Sequence, residues 1–304
     1  MLRLNGLKKN YNNFSVLKGL DMSVDKGDIY GFLGTNGCGK TTTMNIICNI
    51  ITKDGGEVAF DSEGVKIGYL PEMPMLYDYM NGFEYLDFIG ACCRYDGDIK
   101  TRTAEVLEVT GMTGSAKRLI KGYSRGMNQR IGIAAALYSK PDLLILDEPT
   151  SALDPAGRAE VMDIVKRLAA GGSTIILCTH ILTDVERVAN KVGILKDGVM
   201  AVEGRINEVK ERFDEGCVIN VRLRRYAPEA VELLCKIEYA RKSEVSEQTG
   251  VTLFAKDGIG EKAMYSKVVA TLAQNDILPE CVEFKRLSLE QIYINTTNEP
   301  GVKN

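Results

Sequence analysis

The chain has 304 residues, 45% of them apolar and 26% charged, which by length suggests about two domains and by composition a packed globular core. Lysine and arginine total 38 against 41 aspartate and glutamate, and the net charge of -3 gives no bulk electrostatic footprint for nucleic acid, so no nucleic-acid partner is expected. No apolar run approaches the ~20 residues needed to cross a bilayer, and Met1 to Gly6 is too polar to begin a secretory signal, so a cytosolic chain is expected.

The 8 cysteines are scattered without C-x-x-C spacing, so reduced thiols and no structural metal are expected. Leu2 to Asp25 carries short alternating runs on either side of the turn-rich Asn10-Tyr11-Asn12-Asn13, the pattern of an antiparallel edge. Tyr11 is placed either to stack an exposed ring on an adenine face or to cover that edge.

Asp28 to Leu33 is an apolar run of strand length, and Thr42 to Cys48 reads as the first turns of a helix. Between them Gly34-Thr35-Asn36-Gly37-Cys38-Gly39-Lys40-Thr41-Thr42 fits the phosphate-binding pattern G-x-x-x-x-G-K-[ST] in the strand-to-helix context that it requires. Gly34, Gly37 and Gly39 allow successive N–H groups, including those of Asn36 and Cys38, to converge on a phosphate at a helix N-terminus. Lys40 would neutralise the β- and γ-phosphates, and Thr41, followed by Thr42, offers a hydroxyl to Mg²⁺. The field of the loop and of Lys40 is expected to favour the thiolate of Cys38.

Gly55 to Asp61 and Val65 to Leu70 read as strands, ended by Pro71 and Pro74 with Glu72 between them. From Asn81 the periodicity becomes helical, with further helices at Thr101 to Thr110 and Ile131 to Tyr138, so a helical subdomain, about 73–140, interrupts the sheet. The stretch Met73, Met75, Leu76, Tyr77, Tyr79, Met80, Phe83 and Tyr85 is either core of that subdomain or a groove for a partner helix. Ser124 stands as a cap before Arg125-Gly126-Met127 and a helix. Asp142 to Pro149 is a fully apolar strand that delivers Asp147 and Glu148 to its C-terminal edge, where Asp147 would hold Mg²⁺ and Glu148 would orient or deprotonate the attacking water. Ser173 to Thr179 is another buried strand, ending at His180, the single histidine of the chain, on the edge where phosphates should lie. Val192 to Val202 reads as a closing hairpin.

Together these stretches resemble the nucleotide-binding subunit of ABC transporters over about Met1 to Gly204, each motif in family order. The resemblance implies an α/β fold, a P-loop ABC-type ATPase core with an antiparallel β subdomain and a helical subdomain. It makes Tyr11 an adenine-stacking aromatic, Gly34 to Thr42 the Walker A loop, Glu72 the Q-loop residue and Tyr123 to Gln129 the signature. Leu143 to Glu148 becomes Walker B, Ser151 to Asp154 the D-loop and His180 the switch histidine. It implies ATP and Mg²⁺, with Thr41, Asp147 and Glu72 at the metal and Lys40, Glu72, Glu148 and His180 in catalysis. It further implies a head-to-tail dimer, of two copies or with a paralogous subunit, in which Ser124, Arg125, Gly126 and Met127 meet the nucleotide of the other copy. The signature reads Tyr-Ser-Arg-Gly-Met where the consensus is Leu-Ser-Gly-Gly-Gln, retaining Ser124 and Gly126. Glu72 stands where glutamine is usual, a variant that resembles drug and antibiotic exporter subunits.

From residue 205 a linker helix and a β-α-β-β-α-β succession predict a small C-terminal α+β accessory domain, 205–304, ending in Leu287 to Tyr293, which looks like the tail of separate-subunit bacterial exporter ATPases. The leading expectation is a motor that drives a separate membrane permease, peripheral on the inner face of the membrane, and exports a drug, antibiotic or lipid-like substrate. The alternatives are a soluble ABC-type ATPase that remodels ribosomes or DNA, and a nucleotide-dependent regulator.

Overall fold

The computed structural model describes residues 1–298 except 152, 214–215, 226, 247–248 and 286–287. The chain divides into two compact units, one formed by Met1–Val209 with the segment from Tyr293, the other by Lys210–Ile292.

In the first unit β1 (Leu2–Tyr11) and β2 (Phe14–Val24) pair antiparallel, Leu2 opposite Val24. Their alternation puts Leu2, Leu4, Leu7, Leu17 and Leu20 in the core, while Asn12 turns the chain with a φ of 52°, a left-handed value that asparagine tolerates. β3 (Ile29–Gly34) leads to α1 (Lys40–Ile47), and β4 (Gly55–Phe60) returns to β1, giving a three-stranded antiparallel sheet in the order β2-β1-β4. β5 (Ile67–Leu70) is followed by α2 (Gly82–Cys92), which opens with a capping box of Asn81 and Glu84, and by α3 (Ile99–Val109), capped by Asp98. α4 (Arg125–Leu137) starts behind Ser124, whose Oγ accepts from the Met127 N–H at 3.3 Å.

Next come β6 (Leu143–Asp147), α5 (Pro155–Ala170), β7 (Thr174–Cys178), α6 (Leu182–Val188), β8 (Lys191–Lys196) and β9 (Val199–Arg205). The six-stranded sheet runs β5-β6-β7-β3-β8-β9, parallel except for the last pair. β6 and β7 are buried along their whole length, as strands covered on both faces must be. Because β3 lies between β7 and β8, the carboxyl ends of β3, β6 and β7 come side by side, with Phe32 opposite Cys178 and Cys178 opposite Asp147. Such an edge is where an open α/β sheet forms its crevice.

After α7 (Ile206–Arg212), β10 (Val218–Leu223), α8 (Pro228–Cys235), β11 (Ala240–Ser246), β12 (Gly250–Ala255), α9 (Glu261–Gln274) and β13 (Pro279–Phe284) build the second unit. This is the β-α-β-β-α-β succession expected from the sequence, closed as an antiparallel sheet in the order β11-β12-β10-β13. Its core includes Ile219, Leu234, Leu253 and Val268. α10 (Leu289–Asn298) ends the described chain, and Leu287, part of the expected exporter-like tail, lies outside the described residues.

Candidate functional site

The loop from β3 to α1 turns through Gly37 and Gly39, with φ of 80° and 112°, values that side chains with a Cβ rarely adopt. Lys40 is buried and its Nζ donates to the carbonyls of Gly34 at 2.8 Å and Thr35 at 3.3 Å, so the cation braces the loop around it. Asn36, Gly37, Gly39, Lys40, Thr41 and Thr42 face an open cleft of about 340 Å³. Glu72, Glu148 and His180 reach its wall from the ends of β5, β6 and β7. Gly34 and Cys38 stand behind the loop, where a Cβ on Gly34 would fall 2.5 Å from Cys38 Sγ and 2.7 Å from the Leu195 carbonyl.

Asp147 ends β6 fully buried, and neither carboxylate oxygen has a hydrogen-bond partner among the described residues. Burial pushes its carboxyl up, Glu148 and Glu72 add to the rise, and the Thr41 hydroxyl and Lys40 oppose it. An orphaned buried carboxylate beside a hydroxyl and a second acid, all of them hard oxygen donors, fits a divalent cation such as Mg²⁺.

Glu148 is only 6% exposed, and the His180 ring meets it through Nδ1 at 2.9 Å from each carboxylate oxygen. The Thr179 hydroxyl donates to Glu148 Oε2 at 3.3 Å. Glu148 is thus held by His180 and Thr179 while its side chain lines the cleft that the phosphate loop borders.

Tyr11 stands at the outer end of β1, 46% exposed, with Lys9 Nζ 5.5 Å from its ring centre, and is not on the cleft wall. Val16 is on that wall, and no sequence signal singles out this one β-branched residue of an edge strand. Ser124, Arg125, Gly126 and Met127 form the start of α4 and are also absent from the cleft wall. Arg125 lines a separate cleft of about 380 Å³ with Gln129, Ser151 and Leu153, and Glu72 borders both clefts. The expected D-loop includes residue 152, which lies outside the described residues.

For Cys38 the expectation of a stabilised thiolate fails. Burial is the largest influence and pushes the thiol up, outweighing Lys40 and the backbone N–H groups. Cys92 and Cys93, by contrast, are exposed. Maleimide at neutral pH should label Cys92 and Cys93 before Cys38. Peptide mapping by mass spectrometry checks the order, and Cys38 labelled first would refute it.

Residues 17–151 match the family profile described as ABC transporter. The daunorubicin resistance ATP-binding protein of Streptomyces coeruleorubidus is 30% identical over 308 residues, which span 98% of this chain and 96% of that protein. The chain belongs to the ATP-binding proteins of ABC transporters. The linearmycin resistance ATP-binding protein of Bacillus subtilis is 36% identical to this ABC ATPase over 73% of this chain and 74% of that one. A solved ATP-binding subunit of an ABC transporter superposes with a TM-score of 0.62 at 26% identity, over 70% of this chain and 93% of that one. A dimeric cassette in a post-hydrolysis state with ADP and Pi gives 0.61 at 25%, over 68% and 99%. The α/β ABC-type fold, nucleotide binding and ATPase activity follow for this ABC ATPase, as a motor subunit of a transporter. The reading as a ribosome- or DNA-remodelling enzyme or a regulator gains nothing from these relatives. Among the described residues no helix is long and apolar enough to cross a membrane.

Proposed function

We propose that two copies of this ABC ATPase pair head to tail around two MgATP molecules and drive a separate membrane permease that exports a drug, antibiotic or lipid-like compound. In this reading 1–204 is the ATP-binding domain, with 73–140 as its helical subdomain and 205–304 an accessory region, held to the inner face of the membrane by the permease. The observation that carries it is the separation of the two half-sites. Glu148 and His180 share the cleft of the phosphate loop, whereas Ser124 and Arg125 are exposed at the start of α4, away from it. Among the described residues nothing requires glycine at 126, since its φ is not left-handed and a Cβ there would meet only Ser124 Oγ at 4.0 Å. The close approach it permits is therefore available to the other copy's nucleotide.

At the cleft the chain's own groups have distinct tasks. The loop N–H groups and Lys40 hold phosphate, and Asp147, Thr41 and Glu72 are the oxygen donors for Mg²⁺, which when bound would neutralise charge on the transferring phosphoryl group. Glu148 accepts the proton of the attacking water or orients it, and His180 keeps the carboxylate in place.

The export reading draws on the drug and antibiotic resistance relatives and on an exposed apolar patch beside Glu72. Met73 and Met75 are 82% and 91% exposed, and Tyr79 joins them at the surface. Tyr77 stacks between Tyr79, Tyr85 and Phe88, with ring centres 5.7, 6.2 and 5.5 Å away, while Tyr85 and Leu86 are buried. The stretch thus divides into a buried root and an exposed rim, and the rim suits a permease helix.

The test is recovery of the tagged protein from native membranes. The wild type should bring down a polypeptide with membrane spans. Met75→Ala with Tyr79→Ala should weaken that association by about tenfold or more while basal ATPase activity stays within about twofold. Wild-type protein that hydrolyses ATP yet never sediments with membranes would sink the proposal.

A further inference from the structure

The turn that presents Glu148 is strained. Glu148 has a φ of 48°, a left-handed value that residues with a Cβ adopt uncommonly and at an energetic cost. Three backbone-directed bonds surround it: its N–H donates to the Cys178 carbonyl at 2.8 Å, and its own carbonyl accepts from the N–H and hydroxyl of Ser151 at 3.2 and 3.0 Å. Two residues beyond Glu148, the buried Thr150 hydroxyl donates to Asp184 Oδ2 at 2.7 Å. The other oxygen, Asp184 Oδ1, accepts from the Arg158 guanidinium at 3.0 Å.

Asp184 is on α6, four residues after His180. Thr150 and Asp184 therefore tie together the same two segments that Glu148 and His180 join at the cleft, and Arg158 adds α5 to the tie. The helix itself has little room to shift. An added Cβ at Gly31 of β3 would fall 2.3 Å from Val185 Cγ1, so α6 is seated directly on the strand that leads into the phosphate loop. A buried carboxylate with both oxygens satisfied by partners on two other segments is a stiff link, because breaking either bond strands a buried polar group.

We propose that Asp184 is a positioning residue for hydrolysis: by accepting from Thr150 and Arg158 it fixes the strained turn of Glu148 against His180 and so sets the orientation of the Glu148 carboxylate. The proposal rests on the reading of Glu148 as the group that acts on the water. Asp184 is not on the wall of the phosphate-loop cleft, and its effect passes through the angle and distance at which Glu148 meets that cleft.

The experiment measures kcat, KM and nucleotide affinity, with thermal midpoints, for the full chain carrying Asp184→Ala, Asp184→Asn, Glu148→Gln and the Asp184→Ala/Glu148→Gln pair. Asp184→Ala should lower kcat by ~10- to 100-fold, the scale of a misplaced catalytic group, with KM and affinity within about twofold. Asp184→Asn keeps an acceptor for Thr150 and should lose less. In the Glu148→Gln background, Asp184→Ala should cause no further fall in turnover, since the residue that it positions is already disabled. A merely structural residue would instead lower folded fraction and affinity together, and would depress the double variant as much as the single one. If Asp184→Ala does not fold, Asp184→Asn and Thr150→Val carry the same comparison. Full turnover in Asp184→Ala, or multiplicative losses in the pair, overturns the proposal while leaving the role of Glu148 standing. Full turnover in Glu148→Gln removes the reading beneath it.

Discussion

Glu148→Gln should turn over ATP ~10²–10⁴-fold more slowly than the wild type while binding nucleotide as well as before. The amide has the size and shape of the carboxylate, so it can keep the contact with His180 Nδ1 that lies at 2.9 Å, and it suits the same backbone turn. What it lacks is the capacity to take a proton from water. Phosphate binding is assigned to the loop and Lys40, which line the same cleft and are unchanged. The variant should consequently accumulate as an ATP-bound dimer, visible by size-exclusion chromatography with MgATP, alongside a collapsed steady-state rate. A rate near that of the wild type would remove Glu148 from the chemistry.

Gly126→Asp should abolish turnover by ~10²-fold or more, comparable to loss of a group that stabilises transition-state charge, and leave the binding of ATP to a single copy intact. The monomer should tolerate the change. A Cβ at Gly126 has open space around it, and a carboxylate in the first turn of α4 favours the helix N-terminus. In the proposed dimer the same carboxylate would face the γ-phosphate of the other copy, where two like charges at close range repel strongly. Equal melting points and equal nucleotide affinity, with loss of ATPase and of the ATP-dependent dimer, is the expected pattern. A fully active Gly126→Asp protein would mean that α4 does not complete a site in a second copy.

The residues that carry the phosphate loop and the two acids were readable because each is local. β3, β6 and β7 are short apolar runs, and the loop and acids follow their ends directly. Ser124 was readable as a cap for the same reason. α5 is not among the helices expected from the sequence, although Asp154 and Pro155 form a helix-start signal, and the seven residues of α6 are too few to display a period. Asp184 lies 34 residues from Thr150, and the contact exists only because parallel pairing of β6 with β7 brings their ends together. Cys38 illustrates the opposite error. Its neighbours in sequence all favour the thiolate, and only the packing behind the loop reveals that burial is stronger.

The inward bonds of Lys40 bear on which inactive protein makes a sound control in transport assays. Its ammonium group satisfies the carbonyls of Gly34 and Thr35, two charge-assisted hydrogen bonds of about 1.5–3 kcal/mol each in ordinary cases. Replacing Lys40 would withdraw a phosphate ligand and, in the same stroke, slacken the segment that shapes the binding loop. Silence from such a protein would mix two defects. The Glu148→Gln protein keeps its loop intact, and a lack of transport by it would report on hydrolysis alone.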